Sequence, residues 1–161
     1  VLLGILATLG VGAFRSAQQR GRDIRRKSDI ANIAKALEAY MNDKGTYPTN
    51  DSNGVMIGCY PDDATACNWG GIFQDKNSTV YMTILPADPS AGRTYYYNGG
   101  QAYFQLYALI ENTQDADLQR DGNGNVYYYT GTSCGGAKKC NWGIASTNYS
   151  LTTGHAYTIT P

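Results

Sequence analysis

The hydrophobic pattern divides the first 47 residues into three stretches. Val1 to Phe14 carries no charge and is mostly apolar: Val-Leu-Leu-Gly-Ile-Leu-Ala-Thr-Leu-Gly-Val-Gly-Ala-Phe. Arg15 to Asp29 is strongly charged. From there Ile30, Ile33, Ala34, Leu37, Tyr40 and Met41 follow the i, i+3, i+4, i+7 rhythm of one helix face. No proline interrupts this region, Gly45 sits where a helix C-cap belongs, and Pro48 follows. The pattern predicts one helix of about 40 residues, against a globular norm of about 11. Its first third is apolar on every side and needs partners all round. As a helix, Val1 to Phe14 spans about 21 Å at about 1.5 Å per residue, short of the roughly 30 Å of a bilayer core. It also lacks the basic start and small-residue cleavage site of a secretory signal.

Beyond the helix, Thr49 to Asp75 is rich in turn residues, and Ser78 to Leu85 reads as a short helix stopped by Pro86 and Pro89. The period then becomes two. Thr94 to Tyr97 predicts a strand. Ala102 to Ile110 predicts another, with Phe104, Leu106, Ala108 and Ile110 on one face and Tyr103, Gln105 and Tyr107 on the other. Asn98-Gly99-Gly100 reads as the hairpin turn between them. Val126 to Tyr129 and Tyr157 to Ile159 complete an antiparallel sheet of three to four strands, whose inner face should cover the Ile30–Leu37–Met41 helix face. The class expected is α+β, with residues 1–47 as a stem and 48–161 as a head.

Composition sharpens this. Tyr at 14 far exceeds Phe at 3, and Gly reaches 19, which suits an exposed β surface better than a cytosolic enzyme. Net charge is zero, so no nucleic-acid partner is evident. The charge is nonetheless split: residues 1–47 hold eight basic and four acidic side chains, the remainder five basic and nine acidic. A basic stem and acidic head could attract one another between copies. The four cysteines allow three pairings. Turn residues lie inside each close pair, Tyr60-Pro61-Asp62-Asp63 and Gly135-Gly136, which selects Cys59–Cys67 and Cys134–Cys140 and an oxidising compartment. The spacings fit no zinc knuckle, and the single histidine, His155, lies remote in the sequence and reads as a surface residue. Cys-Asn-Trp-Gly occurs twice, at Cys67 and at Cys140. It is too local for a repeat architecture and suggests a tryptophan packed beside each disulfide.

Chemistry-bearing motifs are sparse. No nucleophile constellation, phosphate loop or dinucleotide fingerprint is present, which argues against an enzyme. The stretch from Asp115 to Asn125 places Asp115, Asp117, Asp121 and Asn123 on a glycine-containing loop, the hard oxygen donors that calcium uses. It lacks the bidentate Glu of an EF-hand, and Arg120 opposes a cation. An ordinary solvated β-turn is the competing reading. Three Asn-X-Ser/Thr triplets, at Asn50, Asn77 and Asn148, indicate exposed loops.

The stem resembles the type IV pilin and pseudopilin family. The residues that carry the resemblance are Gly4-Ile5-Leu6-Ala7, Ala13-Phe14, Arg22 through Ile30, Ala36-Leu37-Glu38-Ala39-Tyr40 and Gly45-Thr46-Tyr47-Pro48. Leu85-Pro86-Ala87-Asp88-Pro89, followed by Tyr95-Tyr96-Tyr97, resembles the post-helix segment of major pseudopilins. Family chains begin with an N-methylated aromatic residue and hold a Glu at the fifth position. Aligned on Gly-Ile-Leu-Ala, about ten such residues would precede Val1, restoring a span of roughly 20. Family stems often carry a proline; here the helix-weakening residues are Gly4, Gly10 and Gly12, and the helix is expected to loosen between Gly4 and Gly12 so that the fibre can extend. The resemblance also implies calcium in a loop comparable to that at Asp115.

The expectation is a structural subunit of a type IV pilus-like filament on the bacterial cell surface, in contact with the inner membrane before assembly. Leu2, Leu3, Ile5, Leu6, Leu9, Val11 and Phe14 would pack between copies in the filament core, and the Arg15–Lys27 segment would meet acidic residues of neighbours. A type II secretion pseudopilin is the alternative within the family, and a soluble secreted binding module the alternative outside it.

Overall fold

The computed structural model describes the backbone of residues 2–161 and the side chains from Phe14 onward. One helix, α1, runs from Leu2 to Lys44. It ends as the sequence dictates: Gly45 takes a φ of 74° and its amide donates to the Met41 carbonyl at 2.8 Å, the conformation only glycine adopts freely. Ile30, Ile33 and Leu37 have no exposed surface, and Ala36 and Tyr40 are nearly as buried.

The head is built on an antiparallel three-stranded sheet. Strands β6 (Tyr96–Gly100), β7 (Tyr103–Ala108) and β9 (Trp142–Ala145) run in the order β6-β7-β9. Around it lie a second three-stranded sheet, β1 (Thr49–Asn50), β2 (Met56–Cys59) and β3 (Thr65–Ala66), and two short pairs. These are β4 (Phe73–Gln74) with β5 (Val80–Met82), and β8 (Tyr128–Tyr129) with β10 (Tyr157–Thr158). The fold is α+β and pilin-like.

Alternation on β7 decides the layering. Phe104, Leu106 and Ala108 join the helix face in the main core, with Tyr95, Tyr97, Phe73 and Leu85. Tyr107 points into a second cluster with Tyr96, Tyr129 and the Cys134–Cys140 pair. Gln105 lies fully buried, its amide nitrogen donating to the Ser150 carbonyl at 2.6 Å and the Thr153 carbonyl at 3.1 Å. Both faces of the sheet are therefore covered, one by the helix and one by the C-terminal segment. Cys59–Cys67 and Cys134–Cys140 are disulfide-bonded, with Cα–Cα distances of 5.3 and 5.2 Å.

Several local expectations are corrected. Ser78 to Leu85 is no helix: Val80–Met82 is strand β5. Asp75 Oδ1 accepts the amides of Asn77 and Thr79, and Ser78 at φ 64° turns the chain back onto β4, a side-chain-closed turn that outcompetes helix. Asn98-Gly99-Gly100 lies within β6, and the turn falls at Gln101-Ala102. Gly99 serves close approach instead, because a Cβ there would collide with the Pro48 carbonyl and the Tyr97 hydroxyl. That hydroxyl donates to the Pro48 carbonyl at 2.7 Å, and the Gly99 amide donates to Asn50 Oδ1 at 2.9 Å. Of Val126–Tyr129, only Tyr128–Tyr129 is strand, with Val126 in an isolated bridge to Arg120. Trp142 packs with the Ile110, Leu118 and Val126 cluster, not with the cluster holding the second disulfide. His155 is buried, not a surface residue: its ring meets Tyr96 and Tyr107 edge-on, and Nδ1 lies 2.8 Å from the Thr130 carbonyl.

Candidate functional site

The feature that ties stem to head is a charged collar one turn above the apolar helix face. Arg22, Asp23, Arg26 and Lys27 share one side of α1, spaced at successive turns. Arg26 has no exposed surface. All five guanidinium donors find acceptors. Nε and Nη2 bind Asp88 at 2.7 and 2.8 Å, Nη2 also reaches Ser90 Oγ at 2.8 Å, and Nη1 reaches Asp23 at 2.8 Å and Glu111 at 2.7 Å. Asp23 in turn accepts the backbone amides of Glu111 and Asn112 at 2.9 and 2.8 Å. Asp88 accepts the amide of Ser90 at 2.8 Å. Arg22 forks onto Glu111 at 2.9 and 2.6 Å. Below the collar, the Tyr95 hydroxyl donates to Asp29 at 2.8 Å.

The electrostatics follow from this geometry. The Arg22 fork, opposed by burial and aided by Arg26, pulls the Glu111 carboxyl down to about 2. Burial works against the Arg26 charge, but Asp88, Glu111 and Asp23 outweigh it and hold the guanidinium protonated. Burial, reinforced by Asp29, lifts the Tyr95 phenol well above its usual range.

Lys27 makes a second link. Its ammonium lies 2.7 Å from Asp115 Oδ1 and 2.6 Å from Asp117 Oδ2, with the Trp142 ring centroid 5.9 Å away. Near the helix end, Lys44 bonds the buried Asp75 at 2.6 Å. Arg22, Arg26 and Lys27 thus find acidic partners within the same chain, which narrows the expectation that the Arg15–Lys27 segment meets neighbours to its other basic residues. Arg15, Arg20 and Arg25 are the exposed basic residues of that stretch.

The four residues expected to bind calcium do not converge. Asp115 and Asp117 hold Lys27, whereas Asp121 closes its own turn, accepting the amides of Asn123 and Asn125 at 2.8 Å. Asn123 is exposed. Among the described residues, no three His, Cys, Asp or Glu side chains are grouped to hold a metal ion.

Above the collar, the part of the stem whose side chains are described is bare. From Phe14 to Gly21 the side chains are exposed, apart from the half-buried Gln19, and Phe14 is 64% exposed. The packing expected of Leu2, Leu3, Ile5, Leu6, Leu9 and Val11 lies outside the described side chains. Among the described residues, no helix is long and apolar enough to cross a membrane. The loosening expected at Gly4, Gly10 and Gly12 concerns the assembled state; in the single chain α1 is helical from Leu2 onward.

Sequence reasoning missed Asp23, Asp88, Glu111 and Ser90 as partners. The local pattern shows Arg26 only as one member of a charged run, and its partner Asp88 stands 62 residues away. One signal was available, the Asp88 held between Pro86 and Pro89 in the pseudopilin-like segment.

No family model and no solved structure matches the chain. A curated relative does: the type II secretion system core protein G of Pseudomonas aeruginosa, 32% identical over 126 residues, covering 76% of this chain and 83% of that protein. A match of 126 residues is far longer than the 43 of α1, so the similarity extends into the head. With a long stem helix laid on antiparallel sheets and a relative this similar over most of its length, the chain belongs to the type IV pilin family, of which type II secretion core protein G is the major pseudopilin.

Proposed function

We propose that the chain is the repeating structural subunit of a secretion-type pilus-like filament, assembled from copies of itself through the stem of residues 1–14. It is not an enzyme, as befits a family that works by packing. The observation that carries the secretion reading is the 32% identity to core protein G across stem and head. The stem supports it: a run whose sequence is apolar on every side leads into Phe14, itself largely exposed, and such a helix needs partners all round. Leu2, Leu3, Ile5, Leu6, Leu9, Val11 and Phe14 supply that cover in the filament. Each buried Leu or Ile contributes roughly 1.5–3 kcal/mol. The subunit waits in the inner membrane and passes from there into the growing filament. The collar sets the head at a fixed height on the stem, so that every copy presents the same outer surface.

A surface type IV pilus is the second reading, favoured by the tyrosine-rich head with its two disulfide loops. Deletion of the gene separates the two. The secretion reading expects exported enzymes to accumulate in the periplasm while surface filaments persist. Loss of surface filaments with secretion intact assigns the chain to a pilus instead.

A further inference from the structure

Family resemblance and the acidic loop both suggest calcium, but the donor set does not fit it. Calcium takes six to eight oxygens, with carboxylates and backbone carbonyls at about 2.3–2.6 Å. Here those oxygens already face cations of the chain itself. Lys27 Nζ lies between the carboxylates of Asp115 and Asp117, at 2.7 and 2.6 Å. The Arg120 guanidinium donates to the carbonyls of Thr113, of Gly124 at 3.1 Å and of Asp115 at 3.4 Å. Asp121 spends its carboxylate on the amides and side chain of its own turn. A divalent ion placed among these groups would sit against two fixed positive charges, at separations where repulsion is strong.

We infer that Lys27 and Arg120 take the place of a divalent cation, bracing loop 112–126 to the stem helix so that the head folds independently of calcium. Lys27 is the bond between elements, joining α1 to the loop under the Trp142 ring of β9. Arg120 is the bond within the loop, drawing its two ends together across Thr113 and Gly124. The ammonium does what a metal would do here: it neutralises paired carboxylates and fixes them to the helix. Unlike a metal, it cannot be removed by chelation. The inference rests on this chain's side chains and not on which filament the chain enters.

The test is thermal unfolding of the purified full chain, with EGTA or with excess calcium chloride, alongside calcium titration calorimetry. The wild-type melting temperature should be the same in EGTA and in calcium, with no binding heat at micromolar calcium. Lys27→Met should lower the melting temperature in both buffers by about 3–8 °C, and Arg120→Met should lower it as well. A wild-type melting temperature that drops several degrees in EGTA, or micromolar calcium binding, would overturn the inference. So would a Lys27→Met variant as stable as wild type. Lys27→Arg, which keeps the charge, should retain most of the stability; equal loss in Lys27→Arg and Lys27→Met would also count against it.

Discussion

Replacing Arg26 with Met tests the collar at its centre. The substitution keeps the aliphatic stem and helix propensity but removes the guanidinium. Asp23 and Asp88, whose side chains are 3% and 1% exposed, then lose their cation. They keep only backbone amides: Glu111 and Asn112 for Asp23, Ser90 for Asp88. Breaking a buried ion pair by removing one partner costs about 3–5 kcal/mol, because the remaining charge stays out of water. A domain of this kind has about 5–15 kcal/mol in total, so the variant should be marginal yet foldable. With a urea dependence of about 2 kcal/mol per molar, the midpoint should fall by about 1.5–2.5 M. The assay is equilibrium urea unfolding of the purified chain at pH 7, followed by tyrosine fluorescence. Arg26→Met/Asp88→Asn should recover part of the loss, since a neutral amide needs no counter-charge. A midpoint shift under about 0.5 M for Arg26→Met, or no recovery in the double variant, would refute the reasoning.

Other consequences are testable in the same way. Glu111 is held at about 2 in the fold against 4.5 when free. A depressed carboxyl stabilises the fold above its unfolded value and loses that contribution as pH falls through the folded value. Stability should therefore drop between about pH 4.5 and pH 2. The full linkage is about 3 kcal/mol, reduced by solvent at this half-buried edge to about 1–2 kcal/mol. Glu111→Gln should flatten that part of the pH profile. Gly99→Ala should cost about 1–3 kcal/mol by overpacking against the Pro48 carbonyl and the Tyr97 hydroxyl, and an unchanged urea midpoint would remove glycine's role there. Changing Gly4, Gly10 and Gly12 to Ala should strengthen the stem helix by about 1 kcal/mol per position. Filaments of that variant should stretch less under force than wild type, and equal extensibility would end the loosening idea.

The sequence made the local features readable and hid the distant ones. Ile30, Ile33 and Leu37 could be read because helical period acts over four residues, and Gly45 because its cap is local. Alternation revealed β7 for the same reason, although it could not say that the Gln105 and Tyr107 face would also be covered. That cover comes from Ser150, Leu151 and Thr153, more than 40 residues on. The charged run at Arg15–Asp29 was expected to meet neighbouring copies because a local charge pattern does not show which distant acidic residues fold onto it. Arg26 is buried because three acidic residues converge on it, two of them from segments 62 and 85 residues away. The short pair β4–β5 escaped for want of length, because two or three residues cannot display a period, whereas β8 and β10 fall inside the strands expected at Val126–Tyr129 and Tyr157–Ile159. Ser78–Leu85 was misread because its turn depends on the Asp75 side chain, not on the residues that follow.

The central claim is that copies of this chain join through their stems. A helical reconstruction of the purified filament tests it most directly. The account predicts a core of packed helices in which Leu2, Leu3, Ile5, Leu6, Leu9 and Val11 are buried between copies, Phe14 is covered by a neighbour, and the heads tile the outside. Copies that touch mainly through their heads, with Leu6 and Leu9 facing solvent, would contradict it.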